Sequence, residues 1–330
     1  MSQQRGIALI MVLVILALAT IIATQLISMR NMFSYRTQNV LLAENAWGYA
    51  VGAENLAKIA LHQALKNEDL VHLGQPWASQ SVVFPIDGGQ LTASLKDMRA
   101  CFNINMLATV TGKSNEDDNQ RNASRTFTGQ RIFVKLLQNL PIELTNLPDY
   151  EALSSRLRDW IDADQIPSGF EGREDEEYSG YIQPYRSAGQ LMVSVSEIRT
   201  VSGFEPELVE LILPYLCAIP NQQDITINVN TIPVDQPELL SSFYDNLSLD
   251  EAASILSSRP ENGFDEQEYS PLLPAEAKLL PGASVQFSSQ FFAAIIEVEL
   301  GGTKTQLKSL LFYDKSGPEV QLLARLGHND

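Results

Sequence analysis

The densest chemistry in the chain lies in RDWIDADQIPSGFEGREDEEY, residues 158–178. Eight carboxylates fall within nineteen residues: Asp159, Asp162, Asp164, Glu171, Glu174, Asp175, Glu176 and Glu177. Only Arg158 and Arg173 oppose them inside the stretch. Asp159 and Asp162 stand three apart at the end of a helical pattern, where the helix dipole disfavours negative charge. Pro167, Gly169 and Gly172 then let the chain fold back. Two readings follow from the residues alone. One is a solvated acidic loop, the fate of most charge runs. The other is a hard-cation site, since calcium gathers about six to eight oxygens from carboxylates and carbonyls, while magnesium demands a stricter octahedron. The stretch has no His or Cys, which argues against zinc. Asp162-Ala-Asp164 begins like an EF-hand loop, but the acidic residue and the glycine that should follow are missing.

Catalysis finds little support elsewhere. His62, His72 and His328 are scattered, with no nucleophile at a recognisable spacing, and no glycine-rich phosphate loop follows a strand. A carboxylate pair can perform acid–base chemistry, but this density of acids favours holding a metal. The expectation is a protein that is not an enzyme.

The acidic stretch needs helices to position it. Ile132, Phe133, Leu136, Leu137 and Leu140 form one apolar face; Tyr150, Leu153, Leu157, Trp160 and Ile161 form another. Ser194 with Glu197 and Ser248 with Glu251 are capping boxes that start later helices, and Asp235 with Glu238 and Pro237 marks a third start. Two β-rich blocks flank this helical middle. SVVFPIDGGQLTASLKDM turns at Asp87-Gly88-Gly89, and FFAAIIEVELGGTKTQLKSLLFYD turns at Gly301-Gly302. Neither is large enough to stand alone, so the two are expected to pair into one antiparallel sheet. The polar run TGKSNEDDNQRNASRTFTG reads as a linker into the helical part.

Forty acidic against 23 basic residues give a net charge of −17, which excludes a broad nucleic-acid surface. FNINML (102–107) and INVNTI (227–232) echo each other through Asn-x-Asn, and two helix–turn–helix patterns resemble helix-hairpin-helix units. Their turns, Ser202-Gly203 and Asn246-Leu247, lack the Gly-x-Gly that grips phosphate, so the shape serves packing, with no nucleic-acid partner. Cys101 and Cys217 are too few for a disulfide scaffold. The plainer reading is two buried thiols, and a single bridge is the alternative if the bulk of the chain is exported.

From Ile7 to Ala23 only Thr20 is polar, and the apolar pattern runs on through Ile27. About 20 helical residues span a bilayer core. Three readings compete: a cleaved signal ending at Ala17-Leu18-Ala19, a plain anchor, and a segment trimmed and then kept. The run continues without proline until Pro76, with Val40, Leu41, Trp47, Val51, Leu56, Ile59 and Ala60 at helical spacing. One helix from about residue 7 to about 65 is therefore expected, half in lipid and half amphipathic.

Arg5-Gly6 placed directly before this helix resembles the leader of type IV pilins and type II secretion pseudopilins. The resemblance implies cleavage after Gly6 and methylation of Ile7. Most such subunits carry Glu at mature position five, here Met11; its lack resembles the K-type minor pseudopilin, thought to sit at the filament tip. The acidic stretch is similar to a K-type calcium loop at Asp159, Trp160, Asp162, Asp164, Pro167, Gly169, Glu174, Asp175 and Tyr178, and YRSAGQLMVSVSEIRTVSGF matches downstream. The resemblance implies calcium held by Asp162, Asp164, Glu174 and Asp175, with Asp159 behind them or serving a second ion. Arg30 and Arg36 conflict with Arg5 under the positive-inside rule, and the leader decides the orientation.

The expected fold is α+β. A long N-terminal helix packs on a small antiparallel sheet, as in pilins, and carries a large all-α insertion. The expected divisions are a leader (1–6), a transmembrane part (7–29), a head (30–110 and 282–330) and the insertion (111–281). The implied role is structural: assembly at the tip of the pseudopilus with the I and J types and the inner-membrane secretion platform. Ile7–Ile27 would hold the subunit in the inner membrane and the head would lie in the periplasm, where exported proteins are further possible partners. The rival is an exported, signal-cleaved hydrolase or a calcium-dependent binding protein.

Overall fold

A chain without proline from its start to Pro76 has nothing to break a helix, and the first element is one helix, α1 (Gln3–Leu65). The computed structural model describes residues 3–79, 81–109, 127–142 and 148–327. Most of the expected linker and His328 lie outside the described residues, as do the side chains of Gly6 and Ile7. At about 1.5 Å per residue, α1 is a rod of roughly 95 Å. Its N-terminal part is long and apolar enough to cross a membrane, and side chains from Leu9 to Ile27 are exposed.

The C-terminal part of α1 docks on a sheet, through a face other than the expected one. Ala46, Ala50, Ala53, Leu61 and Leu65 are buried there, whereas Val40 (60%), Leu41 (58%), Leu56 (64%) and Ile59 (60%) remain exposed. The reason is steric: a helix lying flat on a sheet approaches closely only where its side chains are small. Most of the large residues at helical spacing therefore point outward, while Val51 packs partly against the sheet and Leu61 and Leu65 close the contact at the end of the helix.

The sheet has order β1 (Val82–Ile86), β2 (Gly89–Asp97), β9 (Phe291–Leu300), β10 (Thr303–Phe312) and β11 (Gln321–Leu326), all antiparallel. Both expected turns form. Ile86 pairs with Gly89 around Asp87-Gly88, and Leu300 pairs with Thr303 around Gly301-Gly302. Gly301 and Gly302 have φ of +56° and +82°, the left-handed pair that a tight hairpin of this hand requires. Phe292, Ala294, Ile296, Val298 and Leu300 alternate along β9 to face α1. One charge is buried in this contact. Glu54 of α1 accepts hydrogen bonds from Arg325 Nε (2.7 Å) and Nη2 (3.0 Å) and from Ser309 Oγ (2.6 Å), with Lys58 Nζ at 3.0 Å. Burial works to raise its pKa, but these donors bring it down to about 2.

Between β2 and β9 the chain makes a long excursion with its own core. In order it contains β3 (Phe102–Asn103), α2 (Thr128–Asn139), α3 (Tyr150–Ile161), α4 (Asp175–Ser179), α5 (Pro206–Ile212), β4 (Leu216–Cys217), β5 (Thr226–Asn228), α6 (Pro237–Ser242), β6 (Tyr244–Asp245), α7 (Leu249–Ser257), α8 (Glu266–Tyr269), β7 (Lys278–Leu279) and β8 (Ser284–Gln286). The helices carry most of it, with three short ladders: β3 with β4 and β5 with β8, both parallel, and β6 with β7, antiparallel. Within the spans expected for the head, residues 102–107 pack into this helical core and β8 pairs with β5.

The Asn-x-Asn echo is structural. Asn103 Oδ1 accepts from the amides of Asn105 and Ile219, and Asn105 bridges Met192 and Ile219. Asn228 Oδ1 accepts from the Asn230 amide, and Asn230 bridges Phe264 and Phe287. All four are fully buried, so each amide substitutes for backbone partners that a strand end lacks. Capping boxes form at Ser194–Glu197, where the element is a short 3-10 helix, and at Ser248–Glu251. The expected third helix start forms at α6, with Pro237 and Glu238 in its first turn, but the cap falls at Gln236, without a side-chain bond, and not at Asp235. An unanticipated third box, Asp265 with Glu268, starts α8. Cys101 and Cys217 are joined in a disulfide, which corrects the plainer reading of two thiols; the β3–β4 ladder brings the two together.

Candidate metal centre

The acidic residues are set by the end of α3 and the start of α4. Asp149 caps α3 by accepting from the Glu151 and Ala152 amides, and the helix ends at Asp162. Trp160 is buried in the last turn, edge-on to Tyr178 of α4 (5.2 Å between centroids) and to Tyr185 (6.2 Å). These rings fix the two helix ends against each other.

Asp162, Asp164 and Glu174 each offer a carboxylate oxygen, all within 4.8 Å of one another. Glu174 is buried, and neither of its oxygens has a hydrogen-bond partner; Asp162 Oδ1 is likewise buried and unpartnered. Burial, reinforced by Asp159, Asp162, Asp164 and Asp175, pushes the Glu174 pKa up to about 8. Burial and Asp164 push Asp162 up to about 6, against the pull of Arg158, whose Nε lies 3.7 Å from Asp162 Oδ2. Two carboxylates with orphaned buried oxygens, Glu174 and Asp162, beside a third, exposed one at Asp164, form a costly arrangement unless a cation sits among them. The donor set is oxygen only, which fits a hard cation and does not fit zinc.

The other two expected ligands stand apart from this trio. Asp159 is fully buried and accepts the Ser168 amide through both oxygens (2.9 and 3.1 Å), so it ties the loop down. Asp175 accepts from Ser187 N and Oγ, both at 2.9 Å, with Arg186 3.8 Å away. Gly172 is demanded sterically: a Cβ there would collide with the Asp159 carboxylate and the Ser168 amide. Ser168, Ser187 and this role of Gly172 were not visible in the sequence; the only signal was a glycine inside a charge run.

A long, exposed apolar helix, docked at its far end on an antiparallel sheet and joined to a helical insertion with an acidic cluster, defines a pilin-like subunit. Models of the type II secretion system protein K family match residues 100–221 and 227–280. The type II secretion system protein K of Aeromonas hydrophila is 35% identical, over 97% of this chain and 96% of the relative. That of Pectobacterium carotovorum is 34% identical, over 98% and 96%. Among solved structures, a chain of the GspK-GspI-GspJ complex from enterotoxigenic Escherichia coli superposes with a TM-score of 0.73 at 27% identity, covering 89% of this chain and all of that one. The chain belongs to the type II secretion system protein K family.

Proposed function

We propose that this minor pseudopilin of the type II secretion system sits at the tip of the pseudopilus, where it helps initiate assembly for the export of folded proteins. The observation that carries the reading is the near full-length kinship to protein K, joined to a helix whose first part is apolar and wholly exposed. The solved complex of that family with GspI and GspJ supports the I and J types as partners. In this reading the segment is cut after Gly6, methylated on Ile7, held in the inner membrane through Ile7–Ile27 with its head in the periplasm, and then packed among like helices. Val40, Leu41, Leu56 and Ile59, which the sheet leaves uncovered, extend that packing surface along the outer face of α1. Met11 places no carboxylate among the neighbouring helices, which suits a subunit with nothing above it. The role is structural, without catalysis.

Asp162, Asp164 and Glu174 would hold calcium, with Asp175 joining only if it leaves Ser187. The ion supplies charge neutralisation to the carboxylates it touches. This chain's own contribution is mechanical: Asp159 fixes Ser168, Gly172 allows the close approach, and the Trp160–Tyr178 contact carries loop order into the insertion core.

The test is co-expression of the full chain with tagged I- and J-type subunits, purification in detergent, and mass spectrometry of the mature N-terminus. A three-component complex with methylated Ile7 is expected. Cleavage near Ala19, with no complex, refutes the reading.

A further inference from the structure

The back of the sheet, opposite α1, meets the insertion across a cleft of about 850 Å³. Its charge runs against that of the chain. Lys96, Lys308 and Arg199 line it, and among the described residues the only acidic lining residue is Asp97. Asp97 is buried, with its oxygens occupied by Ser289, Thr231, Asn228 and the Arg99 amide. Among the described residues, neither Lys96 nor Arg199 takes part in an ion pair. In a protein of net charge −17, this is a local excess of cations with no internal counter-charge for two of them.

We propose that this cleft is a docking site for an extended, acidic segment of another protein. The placement of the cations argues for that occupant. Lys96 on β2 lies opposite Ala293, and Lys308 on β10 lies opposite Ile295, so both flank β9 on one face of the sheet. Strand spacing puts their Cα atoms about 12 Å apart. That is too far to share one small anion, and it matches the ~13 Å between side chains four residues apart on an extended chain. The floor between them is short-chained or apolar, through Ser94, Ala293 and Ile295, and the facing wall is Leu213 and Pro214 of the insertion. Apolar residues between the acids would rest on this floor, while the Gln236 amide offers hydrogen bonds to a peptide backbone. The charge complementarity sets which segments enter.

The test uses the full chain in detergent micelles, exposed to an array of random nonapeptides; the strongest binder is then measured by fluorescence polarisation. Bound sequences should be enriched in Asp and Glu around an apolar centre. Lys96→Glu combined with Arg199→Glu should weaken the best peptide at least about tenfold. Ser94→Trp, which fills the floor without altering charge, should weaken it comparably. Lys96→Gln, at an exposed position, gives a milder loss in a variant whose melting profile is unchanged. The proposal is overturned if bound peptides show no acidic enrichment, or if the three variants bind like the parent. It is equally overturned if citrate or phosphatidylglycerol vesicles displace the peptide at matched carboxylate or phosphate concentration, since the site would then select a small anion or a lipid.

Discussion

Removing Glu54 tests how the long helix is fastened to its sheet. Its carboxylate is fully buried and is the shared acceptor for Arg325, Ser309 and Lys58. A fall in its pKa from 4.5 to about 2 corresponds to about 3 kcal/mol of folding stability. A second route gives a similar figure: Glu54→Ala leaves the buried Ser309 hydroxyl without an acceptor, about 1–3 kcal/mol, and strands the partly exposed Arg325, which water re-solvates at smaller cost. Because the folded-state pKa lies below the unfolded one, the contribution is complete above about pH 4.5 and is lost as pH falls toward about 2. The informative quantity is the difference in calorimetric melting between the parent and Glu54→Gln, followed from pH 7 downward, since it cancels the titration of the acidic loop. A gap of several degrees at neutral pH, closing below about pH 4, is expected. Hydrogen exchange in β10 and β11 should quicken with it. A gap below one degree, or one that does not change with pH, would refute the reasoning.

Calcium should raise the melting temperature of the full chain, and Glu174→Gln should abolish that rise without destabilising the calcium-free protein, because it removes a buried carboxylate with no partner. Gly172→Ala should cost about 1–3 kcal/mol through collision with Asp159 and Ser168, read as a lowered melting midpoint. The Cys101–Cys217 bridge spans 116 residues, so replacing both cysteines by serine should cost at most about 4–5 kcal/mol, concentrated in the insertion. Ala50→Leu on the docked face of α1 should destabilise the head, whereas Leu56→Ala on the open face should leave melting unchanged and reduce recovery in the three-subunit complex.

The features legible in the sequence were those written in local chemistry. Gly301-Gly302 and Asp87-Gly88 announce their hairpins, and Ser248 with Glu251 announces α7. The crowded acids around Pro167 and Gly169 left a solvated loop and a cation site both open, and the resemblance to the K-type loop implied that Asp162, Asp164 and Glu174 gather. What escaped depends on partners far away in the chain. The docking face of α1 was misread because periodicity weighs large residues, while a flat sheet selects Ala46, Ala50 and Ala53. Asp175 looks equivalent to Glu174 until Ser187 captures it. The cysteines carry no mark of their pairing, which a short parallel ladder decides. The buried asparagines were visible as a faint repeat, but only the carbonyls of Met192, Ile219, Phe264 and Phe287 explain why they must be amides.

The pairing of β2 with β9 sets Asp97 opposite Phe292, so the chain leaves the sheet and re-enters it at adjacent points. Joining those strands first would mean closing a very long, unstructured loop, whose entropy grows with its length. The excursion offers a cheaper order of events. Phe102 lies opposite Leu216 and Thr226 opposite Ser284, so each half of the excursion brings its own two ends side by side. A chain that forms these two inner closures shortens the outer one to roughly two dozen residues. The helical body is then the template on which the last three strands find the first two, and α1 acquires a complete surface to lie on only after the C-terminus has arrived.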